Sequence, residues 1–217
     1  MLSSAVLQII AIVTMVIDHV GCYFFPEQLW LRAIGRMAFP IFAFLLVEGF
    51  KHTRSFPKYF ARILVTAIVA QFAIAFLDKW SNYNVLFSFC FSLIALLCIE
   101  YGGFFIVAIP LLVLAAGAVN CSYGIWGVLL VLGFYCVDGL FRDKFFTKIA
   151  LNLAVLTAIT LLMINEYAWP VQIFAIFASV PIALYSGKKG RRLPRIFGYV
   201  FYPAHLFIIV LIRLLFL

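Results

Sequence analysis

Charge is what this sequence has least of. Only 11% of its 217 residues are Asp, Glu, Lys or Arg, while 67% are hydrophobic, and the mean hydropathy is +1.17. A water-soluble domain of that composition would have almost nothing polar to present to solvent, so the bilayer is the expected surrounding. Acidic residues are scarcest, eight against sixteen basic ones. The resulting charge of +8 does not point to nucleic acid, because the cations sit in short clusters between apolar runs rather than along one polar face.

Paired cysteines are also missing. Cys22, Cys90, Cys98, Cys121 and Cys136 lie within or at the ends of apolar runs, with no CxxC spacing and no interleaved histidines. Neither a disulfide framework nor a metal site is expected. The first apolar run has no basic leader and is too long for a signal-peptide core, so it is read as a first membrane helix.

What is present is a succession of apolar runs. A helix needs roughly 20 apolar residues to cross the hydrocarbon, and by that measure the sequence predicts an all-α, polytopic membrane protein with about nine transmembrane helices. The spans fall at 4–25, 32–50, 59–77, 85–101, 104–120, 123–141, 149–164, 168–186 and 196–216, forming a single transmembrane domain over 1–217. Short gaps with breakers such as Pro26, Pro57, Asn120 and Gly187 separate them. The division at Gly102-Gly103 is the one that a kinked or re-entrant element could replace.

Loop charge sets the expected orientation. Lys51, Arg54 and Lys58 follow the second span, Arg142, Lys144 and Lys148 the sixth, and Lys188, Lys189, Arg191, Arg192 and Arg195 the eighth. With nine crossings these loops share one side, and the opposite loops contain Lys79 and almost no other cation. The bias predicts a cytoplasmic N-terminus and an outside C-terminus.

Against this apolar background a few ionisable residues stand out. Asp18 and His19 lie in IVTMVIDHVG, about 21–23 Å along the first span from its cytoplasmic edge. Arg32 and Arg36 enter through LRAIGRMAFP one helical turn apart, on one face. Tyr202, His205 and Arg213 belong to the last span. Asp18, Arg36 and Arg213 cost roughly 2.5–3.5 kcal/mol each at the centre of a membrane, so a polar site in which Asp18 meets an arginine or orients His19 is the economical arrangement. The simpler alternative is a structural Asp18–Arg36 pair, with Arg32 and Arg213 extending to the outer headgroups. His205 beside Tyr202 serves equally as an interhelical hydrogen-bonding group. Glu48 and His52, close in sequence to Arg54 and Arg62, suit a lock on the loop KHTRSFPK or a solvated rim. The cluster GKKGRRLPR is explained by topology and anionic lipid, or by a phosphate-bearing cofactor. Cys22 is read as packing, although an acyl carrier is conceivable at that position. The aromatics, 18% of the chain, are read as packing and interface anchors.

The stretch IDHVG, followed by LRAIGRMAFPIFAFLLVEGFKHTR and PKYFARI, resembles the TraX family of conjugation-associated membrane proteins, and FGYVFYPAHLFII resembles that family's last helix. The resemblance covers about residues 10–75 and 196–212. It implies an acyltransferase that takes acetyl from cytoplasmic acetyl-CoA and delivers it to a protein N-terminus of pilin type or to a saccharide or lipid hydroxyl. By the same resemblance His19 is the acyl-transfer histidine, and Arg36 with Arg32 corresponds to the arginines placed beside the donor. On the physical reading His19 takes the acceptor's proton, Asp18 pairs with Arg36 or orients His19, and an arginine such as Arg36 steadies the oxyanion. Arg32, His52, Arg54, Arg62 and His205 are then the residues assigned to the donor. No arginine precedes His19 in the first span, as it does in some wider relatives. Two other classes fit the same residues, a proton-coupled transporter in which Asp18, His19 and His205 form a proton path, and a scaffold for a secretion apparatus.

Overall fold

The computed structural model describes residues 1–78, 82–141, 144–190 and 195–216. Lys79, Arg142, Arg191 and Arg192, named above among the loop charges, lie outside the described residues. Among those described there are no strands, and the helices are α1 (Ser4–Phe24), α2 (Leu29–Gly35), α3 (Ala38–His52), α4 (Phe56–Asp78), α5 (Val85–Tyr101), α6 (Ala108–Ala118), α7 (Gly124–Leu140), α8 (Phe145–Tyr167), α9 (Ser179–Ala183) and α10 (Arg195–Phe216). Two 3-10 segments, Gly103–Val107 and Pro170–Ala178, run directly into α6 and α9. Five helical stretches are long and apolar enough to cross a membrane: Ser4–Phe24, Leu29–His52, Phe56–Leu77, Phe145–Tyr167 and Phe197–Phe216. The four remaining runs are apolar but shorter.

The expected second span is interrupted. Pro40 has no N–H for the Arg36 carbonyl, and its ring crowds that carbonyl, so the helix breaks between α2 and α3. Arg36 therefore sits at a helix end and not in mid-helix.

The chain divides into two compact units, Met1–Glu48 with Gly133–Leu193, and Gly49–Leu132 with Pro194–Leu217. In the first unit the residues before α1 pair with the segment after α9. Leu2 N–H donates to Leu184 O at 2.6 Å and Ser186 N–H to Leu2 O at 2.8 Å, while Ser4 and Ala5 N–H donate to the Lys188 and Lys189 carbonyls at 2.9 and 3.3 Å. These bonds satisfy amides that the first turn of α1 would otherwise leave open. They also fix which ends meet: residues 184–189 lie at the amino end of α1.

The run from Pro170 to Ala183 has fourteen residues against the twenty-one of α1, and as an α-helix it would rise only about 21 Å. At ~2.0 Å per residue in its 3-10 part and ~1.5 Å in α9, it extends about 25 Å. Stretching the winding supplies the reach that the residue count lacks. Below it, the Tyr185 ring packs edge-on against Phe44 with centroids 5.4 Å apart, and Phe44 packs likewise on Phe134 at 5.9 Å.

In the second unit, α4 packs against both α5 and α10. Gly102 and Gly103 adopt positive φ of 65° and 54°, a turn that side-chain-bearing residues disfavour, and send the chain back through Gly103–Ala118 antiparallel to α5. Tyr83 and Ser122 close the other end of that hairpin by Tyr83 N–H to Asn120 O at 3.2 Å and Ser122 N–H to Tyr83 O at 2.8 Å. The division expected at Gly102-Gly103 is thus a true turn. Ala95, Ala116 and Val128 form the buried centre of this hairpin and α7.

Candidate functional site

Two glycines let α1 and α2 approach closely. A Cβ on Gly21 would come within 2.6 Å of the Leu31 Cβ, and one on Gly35 would fall onto the Asp18 side chain. That proximity puts the Asp18 carboxylate in reach of both arginines of α2. Arg32 Nη1 donates to Asp18 Oδ2 and to the Asp18 carbonyl, each at 2.8 Å, and Arg36 Nη2 donates to Asp18 Oδ1. Asp18 and Arg36 are both buried. The carboxylate is shared between two guanidiniums, an arrangement whose charge-assisted bonds offset much of the cost of removing three charges from water.

Trp169 completes the group. It lies immediately before the 3-10 segment Pro170–Ala178, which packs against α2. The Arg32 and Arg36 guanidinium carbons stand 5.2 and 4.8 Å from its ring centroid, within cation–π range. Sequence reading missed this residue because it treated aromatics as interface anchors. The available signal was a tryptophan in a loop expected on the same side as the Arg32 end of the second span.

The structure therefore corrects one reading of Arg32: it turns to Asp18 and Trp169 rather than reaching outward. The i, i+4 placement of Arg32 and Arg36 on a shared face holds. Asp18 pairs with the arginines, and the neighbouring His19, half-buried, has its ring 6.2 Å from that of Tyr23 one turn on. Cys22 is exposed.

The other candidates belong to the second unit. His52 and Arg54 are exposed at the end of α3 and in the turn after it, where Thr53 Oγ1 and the Ser55 backbone bond to one another. Arg62 lies with its guanidinium 5.5 Å from the Tyr199 ring, joining α4 to α10. His205 is buried and its Nδ1 lies 3.0 Å from the Phe201 carbonyl, so that nitrogen carries the proton. Arg213 is exposed. In the first unit, Glu48 Oε2 accepts from the Tyr185 hydroxyl at 2.9 Å. No group of three or more metal-ligating side chains occurs among the described residues.

These features define an all-helical protein whose apolar helices enclose a carboxylate held between two arginines under a tryptophan. Residues 3–213 match the model of the TraX protein family, and the chain belongs to that family. It is 32% identical to the probable fimbrial assembly protein FimC, serogroup H1, of Dichelobacter nodosus, across 92% of this chain and 91% of that protein. It is 30% identical to Protein TraX of Escherichia coli, across 96% of this chain and 86% of the relative. No solved structure matches it.

Proposed function

We propose that this protein is a multi-pass inner-membrane acetyltransferase, moving acetyl from cytoplasmic acetyl-CoA to an acceptor at the outer half of the membrane, with the amino terminus of a pilin-like protein as the first acceptor to test. A saccharide or lipid hydroxyl is the second. On this reading all nine apolar runs cross, and the amino end of α1 faces the cytoplasm together with Lys188 and Lys189. A cysteine placed at Lys188 should then label from the cytoplasmic side alone.

The observation that carries the proposal is Asp18 bound by Arg32 and Arg36 beside His19, because charges this far along an apolar helix are expensive and are retained where they serve a site. In the reaction the acceptor amine attacks the thioester carbonyl, the new C–N bond forms and the C–S bond breaks. His19 takes the amine proton and returns it to the departing thiolate. An arginine edge stabilises the oxyanion while charge is on the carbonyl oxygen. Asp18 acts through the arginines, holding their planes against Trp169.

The fimbrial-assembly name of the D. nodosus relative favours a second reading, a scaffold that positions pilin subunits without chemistry. One experiment separates them. Purified protein in nanodiscs, given radiolabelled acetyl-CoA and a peptide bearing a pilin-type amino terminus, yields labelled peptide if the first reading holds and none if the protein is a scaffold.

A further inference from the structure

The buried face of α8 is more polar than packing requires. It carries Asn152, Leu156, Thr160 and Met163, which repeat at helical spacing, and α8 packs against the Pro170–Ala178 segment and α9. Gln172, also buried, comes from that 3-10 segment two residues beyond the Pro170 that follows Trp169. Polar groups thus continue down the first unit from the Arg32–Arg36–Trp169 cluster toward the amino end of α8.

One of them is incomplete. Asn152 is 8% exposed, and its Oδ1 has no hydrogen-bond partner among the described residues. A buried acceptor without a donor is a standing cost that calls for an explanation, and a group supplied from outside the fold is one. Lys148, one turn away on the same face, is committed to Asp138 by an ion pair and does not supply the donor. An apolar residue of equal size would have filled the position without the cost.

We propose that Asn152 is a binding residue for the amide-bearing arm of the thioester donor, its Oδ1 accepting a hydrogen bond from an arm N–H as the arm runs along the α8 face toward Trp169. The inference rests on the acetyl-transfer reading and adds to it the donor's path. An arm of this kind is linear, presents amide N–H groups and needs few but directed acceptors, and Asn152 Oδ1 is an acceptor of that kind on the half-apolar buried face of α8. Asn152 forms or breaks no covalent bond.

The test uses the full chain in nanodiscs with three acetyl thioesters: acetyl-CoA, acetyl-pantetheine, and an acetyl thioester of mercaptoethanol that has no amide. Asn152→Leu should raise KM for the first two by about five- to tenfold, the loss expected for one directed hydrogen bond, with kcat little changed and KM for the amide-free thioester unmoved. Asn152→Gln, which keeps the acceptor, should recover part of the loss, and thermal unfolding of both variants should match the parent. An unchanged KM for acetyl-CoA in a folded Asn152→Leu protein overturns the path, leaves acetyl transfer standing and assigns the Oδ1 to a buried water. An equal rise for all three thioesters also overturns it, showing a general packing role. Absence of transfer by the parent protein removes the acetyl-transfer reading and this inference with it.

Discussion

Two polar clusters, one in each unit, bury hydrogen-bonding groups in very different ways. In the first unit, three charged side chains share one site, with Asp18 between Arg32 and Arg36. In the second unit the cluster is neutral and closed. Gln71 Oε1 accepts from the Asn84 backbone N–H at 2.9 Å and from Asn84 Nδ2 at 3.0 Å, Gln71 Nε2 donates to Asn82 O at 3.0 Å, and Asn84 Nδ2 also donates to Ala67 O at 2.8 Å. Asn84 Oδ1 caps α5 by accepting from Leu86 N–H. Ser88 Oγ donates to Ser122 O at 2.6 Å. Amides and hydroxyls are enough to pin α4, α5 and the loop before α7. A charged cluster adds a desolvation cost that a purely architectural role does not require, and this difference is why the proposed chemistry is placed at Asp18 and its partners and not at Asn84 and its partners.

The comparison is broken most readily at Asp18. Asp18→Ala removes the carboxylate shared by the buried Arg36 and the partly buried Arg32 and should lower stability by about 3–5 kcal/mol, read as a fall in unfolding temperature in detergent. A fall no larger than that from a neutral-network variant would show that the charges are not held in a low-dielectric site. Arg36→Ala should cost less, about 1.5–3 kcal/mol, because Arg32 continues to hold Asp18 Oδ2. Its signature is a loss of transfer greater than its loss of stability, measured by comparing turnover with denaturation midpoint in one preparation. Asn84→Ala sharpens the contrast from the other side. It removes a helix cap and buried hydrogen bonds at a cost of about 1–3 kcal/mol, yet turnover per folded molecule should equal the parent's. Reduced turnover there would tie the second cluster to the chemistry.

Much of the fold was legible because apolar runs of helical length stand out between breakers, and nearly every expected span finds a helical segment within a few residues of its predicted ends, five of them long enough to cross a membrane. Asp18, Arg32 and Arg36 were legible for the same reason, since a charge in such a run is conspicuous. What escaped the sequence is conformational. The strap from Leu2 to Ala5 along residues 184–189 is built of backbone bonds that leave no side-chain pattern. The 3-10 winding of Pro170–Ala178 has the same hydrophobic content as an α-helix and only reveals itself through the distance it must cover. The break at Arg36–Met37 was written in Pro40, four residues downstream, but a proline inside a long apolar run reads first as a tolerated kink. Trp169 was hidden among many aromatics, most of which do pack or face outward.

The central claim is that the charged cluster serves His19. It is tested most directly by purifying His19→Ala in nanodiscs and following label from acetyl-CoA into an acceptor peptide, alongside thermal unfolding. His19 is half-buried, and its removal leaves the Asp18 ion pairs with Arg32 and Arg36 in place. The account predicts an unfolding temperature close to the parent's and transfer reduced at least about a hundredfold, the typical contribution of a positioned general base. Full transfer by a folded His19→Ala protein would contradict it and leave the scaffold reading in its place.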